Sequence, residues 1–345
     1  MRYKHFLIAV FFLTGLPMLK AQDIHFSQTG QTPLLYNPAC TGAYDGFYRG
    51  IINFKNQWVE MGKPYRTFMG SYDMPIFIKK NSKSAAYLGA GALLFTDKAG
   101  DSHLSTTHFG AAISCIVPVG LSQKLSAGIL GGVTHSAIDL SSIQWPNQYN
   151  GQSYDPNLPS YEAGQTASYV SYDLAAGILY HWQKPLNSFS GRHIASFDFG
   201  AALFHATKPK QRFFSITDER KYPRIVFHSD GRYDFEDTRV GIIPSALFMF
   251  QGASYELEAG VLVRILTNSV TNYTGYTTES ALSVGVHYRH KDAIIPQVYF
   301  EIHDFGIGLS YDINISSFSR ASKLKGGLEI SVNYAKMRGA LYRNR

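Results

Sequence analysis

Residues Ser254–Leu266 read SYELEAGVLVRIL, and their alternation decides the fold class. Tyr255, Leu257, Ala259, Val261, Val263 and Ile265 form one face, while Glu256, Glu258, Gly260 and Arg264 form the other. Strict period-two alternation is the signature of a strand, because successive side chains leave a pleated backbone on opposite sides. An apolar face backed by carboxylates and a guanidinium suits a wall with lipid on one side and water on the other.

The same rhythm recurs along the chain. In 169–182, Val170, Tyr172, Leu174, Ile178, Tyr180 and Trp182 oppose Ser171, Asp173, Gly177 and His181. Aromatic residues at both ends of that segment read as two interfacial girdles. Segments 305–313 and 326–334 repeat the pattern, and near the start Arg49, Asn53, Lys55 and Gln57 alternate with Ile52, Phe54 and Trp58. Further strands are predicted at 66–74, 86–95, 104–117, 121–138, 193–205, 224–229, 240–250, 280–289 and 294–302. The expected fold is all-β: a transmembrane antiparallel β-barrel of about 14 strands, within a range of roughly 12 to 16. A soluble β-sandwich is the structural alternative, since its strands alternate too. Tight connections are expected at 118–120 and 251–253 and a long polar one at 139–167, with short turns periplasmic and long loops external. Up-down parity is expected to fail between Ala206 and Glu279.

Composition agrees with this reading. Charged residues make up 17% of the chain, against roughly 25% in an average soluble domain. Aromatics reach 14%, and the mean hydropathy of −0.11 is the near-zero average that alternation produces. At the N-terminus, Arg2, Lys4 and His5 precede the apolar run Phe6–Leu13, interrupted at Pro17. That run falls short of the roughly 20 residues of a spanning helix, so 1–21 reads as a cleaved signal peptide and 22–345 as the barrel, with 22–47 an N-terminal segment at or in the lumen. Removing Arg2, Lys4 and Lys20 from 32 basic side chains leaves 29 against 25 acidic ones, too small an excess to imply nucleic acid. Cys40 and Cys115 belong to no metal or redox motif, and whether they bridge is open at this level.

No pattern carries catalysis. The twelve histidines show no helical zinc spacing; there is no phosphate loop and no Gly-x-Ser-x-Gly elbow. His181, His287 and His303 are expected to make lumen or rim hydrogen bonds. No catalytic, cofactor or metal residue is assigned, and the chain is expected not to be an enzyme.

A set of short motifs carries a resemblance. Asp23-Ile-His-Phe-Ser-Gln28, Leu35-Tyr-Asn-Pro-Ala39, Thr41-Gly42, Tyr48-Arg49 and Gln57-Trp58 come in order, followed by Ser71-Tyr-Asp73, Asp97-Lys-Ala-Gly100, Ser310-Tyr-Asp-Ile313 and Gly327-Leu-Glu-Ile-Ser331. Together they resemble the PorP/SprF family, with Cys40 standing where the family more often has another residue and 206–238 matching loosely. The resemblance implies a barrel in outer-membrane lipid, serving type IX secretion and gliding. It would help deliver or anchor a surface protein or adhesin and bind a periplasmic peptidoglycan-associated or secretion-ring protein. A FadL-like or porin-like transport barrel is the alternative, motivated by Glu256, Glu258 and Arg264; a soluble β-sandwich adhesin is the third reading.

The motif residues also have individual readings. Asn37, Pro38, Arg49, Trp58, Asp73, Asp97, Lys98, Gly100, Ser310, Tyr311, Asp312 and Glu329 are the candidate partner or lumen residues. Pro38 holds Asn37 extended and bars helix. Asp97-Lys-Ala-Gly100 reads as a rim turn with Asp97 paired to Lys98 and positive φ at Gly100. Asp312 is expected inward, near an arginine such as Arg49 or Arg264.

Overall fold

The computed structural model describes residues 23–57, 64–78, 85–100, 103–139, 143, 145–160, 166–184, 195–213, 219–236, 238–268, 280–316 and 325–337. The signal-peptide reading of 1–21 and the Trp58 position therefore lie outside the described residues.

Backbone amides and carbonyls in hydrocarbon must find partners within the protein, which a sheet achieves only by closing on itself. This chain does so. Strands β1 (Gly46–Gln57), β2 (Tyr65–Ile76), β3 (Tyr87–Ala99), β4 (Leu104–Pro118), β5 (Gln123–Asp139), β6 (Thr166–Gln183) and β7 (Ala195–Phe204) form the first half of the barrel. Two-residue strands β8 (Lys210–Gln211) and β9 (Glu219–Arg220) pair only with each other. The wall resumes with β10 (Arg224–Asp234), β11 (Val240–Gln251), β12 (Ser254–Asn268), β13 (Ser280–Arg289), β14 (Ala293–Ile302), β15 (Phe305–Asn314) and β16 (Lys325–Met337). Each wall strand pairs with its chain neighbours, and β1 closes on β16 with Lys55 opposite Glu329 and Asn53 opposite Ser331. Fourteen strands make the closed wall.

Two expectations about connections are corrected. Parity does not fail between Ala206 and Glu279, because the irregularity there is the small β8–β9 hairpin hung on the β7–β10 connection, outside the barrel sheet. Nor do turn lengths sort by end. With strands strictly antiparallel, the tight Gly252-Ala253 turn shares an end with the long 140–165 connection and the β8–β9 hairpin, whereas the 119–122 turn lies at the opposite end. We call the first the loop end. The second, where β1 begins and β16 stops, is the terminal end.

Side chains follow the pleat. Phe109, Ile113 and Val117 on β4, Val261, Val263 and Ile265 on β12, and Ile307, Leu309 and Tyr311 on β15 are exposed on the outer face. Their neighbours Ser114, Glu258, Arg264, Ser310 and Asp312 are buried inside. Cys115 is exposed on the outer face of β4, whereas Cys40 lies within the barrel, and both are free thiols.

The interior has two unlike halves. From β2 round to β11 it is lined largely by apolar side chains, including Met69, Leu93, Leu130, Phe204, Val226 and Leu247. From β12 through β16 to β1 it carries Glu256, Glu258, Arg264, Arg289, Asp312, Glu329 and Lys55, all buried.

Candidate functional site

Residues 23–45 cross the barrel interior from the loop end to the terminal end, where β1 starts. Their sequence suits the two-faced lumen. Phe26, Leu35 and Tyr36 join the apolar cluster of the β2–β11 half, and the Tyr36 hydroxyl both donates to the Phe26 carbonyl and accepts from its amide at 3.0 Å. A single turn of helix α1 (Pro33–Tyr36) ends where Asn37 becomes extended, at φ −156° and ψ 117°, ahead of the Pro38–Cys40 turn.

Ser27 and Gln28 face the polar half. Glu329 accepts from the Ser27 amide at 2.7 Å and the Gln28 amide at 3.0 Å. The Ser27 hydroxyl donates to Asp312 at 2.6 Å and accepts from Arg289 at 2.7 Å and Lys55 at 3.1 Å. Gln297 donates to the Ser27 carbonyl at 2.7 Å, and Ser331 donates to the Gln28 side chain at 2.6 Å. Arg289 also meets Glu258 and Asp312, each at 3.0 Å, while Lys55 lies 3.4 Å from Asp312. Arg289, Lys55, Asp312, Glu258 and Glu329 thus each have an opposite charge and at least one hydrogen-bond partner, the condition under which buried ions are tolerated.

At the loop end, Asp23 contacts His205 Nε2 and Lys221 Nζ at 2.5 Å, with Arg224 at 3.7 Å; His205 Nδ1 reaches Asp173 at 2.6 Å. Burial raises the affinity of the Asp23 carboxyl for a proton, but Lys221, His205 and Arg224 outweigh it and hold the group well below the usual carboxylate range. A depressed folded-state value means that this clamp stabilises the fold fully above the unfolded value of about 3.9 and is lost as pH falls through the lower folded value. Asp23→Asn is therefore expected to flatten the acid limb of stability below about pH 4. Denaturation midpoints across that range would show it, and parallel limbs for the two proteins would refute the clamp.

Near the terminal end, Arg49 forks onto Asp73 with Nε–Oδ1 and Nη2–Oδ2 both at 2.9 Å, a bidentate pair. Asp73 also accepts from the Gly42 amide at 2.8 Å, and Arg49 lies 4.4 Å from the Tyr44 ring centroid. Between the ends, Asn37 donates to the Ile178 carbonyl at 2.9 Å and accepts from the Ala39 amide at 2.9 Å. The inner wall is glycine where the segment presses on it. A Cβ on Gly128 would lie 2.5 Å from the Pro38 carbonyl oxygen, and one on Gly177 would collide with Asn37 Oδ1. Gly177→Val is expected to lower stability by about 1–3 kcal/mol and to raise ion conductance in planar bilayers by displacing Asn37. Unchanged stability with a silent bilayer would count against this fit.

The structure brings Asn37, Pro38, Arg49, Asp73, Ser310, Asp312 and Glu329 to the lumen and its crossing segment. It does not bring Tyr311 there, which is exposed on the outer face. Two pairings are corrected. Asp312 meets Arg289 and Lys55, while Arg49 takes Asp73 and Arg264 takes Glu301 at 2.7 Å. Asp97 does not turn to Lys98: both lie on β3, where adjacent side chains point to opposite faces, so Asp97 accepts from Thr67 at 2.6 Å and Lys98 is exposed. Gly100, just past β3, has φ 66°. His181 meets Asp198 at 2.5 Å and His287 meets Ser245 at 2.6 Å, whereas His303 is exposed at the β14–β15 turn with φ 57°.

Arg289, Lys55, Ser27 and Asp23 were not singled out as site residues. Their signals are present: Asp23 and Ser27 belong to the first motif, and alternation places Arg289 and Lys55 inward on their strands.

At the loop end, a cavity of about 970 Å³ opens beside the crossing segment, with Ile24, Leu35, Leu93 and Phe204 among its apolar lining and Asp23 and Lys221 among its charged residues.

A closed antiparallel barrel, apolar outside and with buried charges along one half of its interior, defines this chain as an outer-membrane β-barrel protein. The family model described as type IX secretion system membrane protein PorP/SprF matches residues 18–334, and the chain belongs to that family. Solved hydrocarbon channels and a toluene transporter align with it in structure. The TodX monoaromatic hydrocarbon channel, as a deltaS2 mutant, aligns at TM-score 0.50 and 10% identity over 90% of this chain and 95% of that one. The P. putida toluene transporter TodX gives 0.49 and 10% over 90% and 94%. The CymD monoaromatic hydrocarbon channel gives 0.47 and 11% over 91% and 94%. No curated protein sequence matches the chain. Family and fold are those of a secretion-system membrane barrel and not of a known enzyme class.

Proposed function

We propose that this protein is a non-enzymatic component of the type IX secretion and gliding machinery that works by binding at its two ends. The observation carrying this reading is the occupied lumen of a PorP/SprF family barrel: residues 24–42 thread an interior whose inner wall they contact from both halves. A barrel filled in this way offers no conduit to a polypeptide, so its contribution to secretion lies in what its loops and turns hold.

The loop end carries the 140–165 connection, the β8–β9 hairpin and the cavity of about 970 Å³. We assign it to the cell exterior and to a type IX-secreted surface protein or adhesin. The terminal end is assigned to the periplasm and to a peptidoglycan-associated or secretion-ring protein. Deleting the gene should lower the surface level of at least one type IX cargo, with restoration by the intact chain. Normal surface levels of every cargo would end this reading.

The cavity of about 970 Å³ favours one second reading, uptake of a small apolar solute. Solute flux into liposomes holding the purified protein alone would support it over the first.

A further inference from the structure

Strand β6 is paired unevenly on its two sides. Against β5 it is held along its length, from Thr166 opposite Asp139 to Trp182 opposite Gln123. Against β7 the ladder covers only Ala176–Gln183. Beyond it, toward the loop end, the Leu174 carbonyl takes the Ala206 amide at 3.1 Å and the Tyr172 carbonyl takes the Thr207 hydroxyl at 3.3 Å. These two contacts set the phase of the strand. In an antiparallel strand the N–H and C=O of one residue point to the same side, and alternate residues point to opposite sides. Val170 and Ser168 therefore aim theirs away from β5. Among the described residues no strand pairs with them there.

Natural sheet edges are blunted by lysine, proline or a bulge. Here 166–174 reads TASYVSYDL, with neither lysine nor proline, and its register against β5 is unbroken. Val170 and Tyr172 are 53% and 72% exposed on the outer face. This edge does not face hydrocarbon, where unpaired amides are not tolerated, and Leu174–Gln183 already supplies the roughly ten residues of a tilted crossing. It stands beside the β8–β9 hairpin, whose Phe213 ring packs on Tyr169 at 4.8 Å between centroids. Lys208, Arg212 and Arg220 are exposed along that stretch, and Glu219 is the one acidic residue described in 205–222. A second copy seated edge to edge would bring two such cationic hairpins together, whereas an acidic strand meets them with opposite charge.

We propose that the β6 edge over 166–172 receives an added strand, an extended acidic segment of the protein held at the loop end. The N–H and C=O groups of Ser168 and Val170 bond to the backbone of the incoming strand, which gives the affinity. Its outward side chains lie beside Val170 and Tyr172, and acidic side chains on its inner face meet the hairpin cations. This inference rests on the reading that the loop end holds a surface protein, and it adds where on that end and by what chemistry.

Proline at these positions removes an outward amide and leaves the β5 ladder intact. The test therefore combines Ser168→Pro with Val170→Pro and compares the pair with Val170→Ala, which keeps the amide. The readout in whole cells is the surface level of the type IX cargo that falls when the gene is deleted. Assembly of each variant is checked by the heat-dependent gel shift of intact barrels. The double proline variant should lower that cargo by roughly tenfold or more, through the loss of two backbone hydrogen bonds, while Val170→Ala should hold it within about twofold. Lys208→Glu with Arg220→Glu should lower it as well. An unchanged level in the proline variant, or an equal loss in Val170→Ala, overturns strand addition, and an unchanged level in the charge variant overturns the acidic partner. A purified barrel that is dimeric in micelles and monomeric with the prolines would seat a second copy on the edge and overturn the proposal too. Should the double variant fail to fold, Val170→Pro alone decides on the same terms. A deletion that leaves every cargo in place ends the surface-protein reading and this inference with it, whereas a cargo that falls on deletion but ignores the prolines ends this inference alone.

Discussion

Replacing Arg289 with methionine is expected to destabilise the folded barrel by about 3–5 kcal/mol, because it strips several buried carboxylates of their principal counter-ion. Arg289 is 3% exposed and reaches Glu258 at 3.0 Å, Glu256 at 3.6 Å, Asp312 at 3.0 Å and Asp292 at 3.1 Å. Among the described residues, Lys55, 3.4 Å from Asp312, is the one other lysine or arginine in contact with Asp312. The same guanidinium donates to the Ser27 hydroxyl, so its loss also loosens residues 23–28 from the polar wall. Denaturant unfolding in micelles measures the first effect, and protease cutting near the N-terminal segment measures the second. A double variant, Arg289→Met with Glu258→Gln, should recover part of the loss by removing a stranded charge. If it is no more stable than the single variant, the charge account is wrong.

Leu309→Lys is expected to cost about 2–4 kcal/mol, whereas Phe305→Lys on the same outer face should cost only about 0–1. Both side chains are exposed on β15, Leu309 mid-strand and Phe305 at its terminal end. In water two exposed lysines would be nearly neutral and alike. In a bilayer the mid-strand ammonium must reach out of the hydrocarbon, while the one at the strand end already lies at the interface. Folding free energies in lipid vesicles discriminate the two, and equal costs would place these positions at equal depth or outside lipid altogether.

The strands were legible because alternation is local. Each of the fourteen predicted segments corresponds to a wall strand, and in SYELEAGVLVRIL every inward and outward assignment follows from parity alone. Parity also put Asp312 and Glu329 on the inward face. It could not say whom they would meet. Asp97 and Lys98 show the converse: neighbours in sequence do not meet when a strand sends adjacent side chains to opposite sides. The β8–β9 hairpin lies behind the parity expected to fail between Ala206 and Glu279, for a similar reason: two-residue strands carry too little pattern to be told from loop.

The sequence by itself determined that this protein is a barrel, which face of each strand meets lipid, and, through its ordered motifs, its family. The tertiary structure alone decided what fills the lumen and which charges pair there. Ser27 and Arg289 lie 262 residues apart, and a hydrogen bond of that span depends on closure between β1 and β16, on strand register and on the path of the N-terminal segment. Periodicity records which way a side chain points, whereas its partner is set by chain closure, to which no local pattern is sensitive.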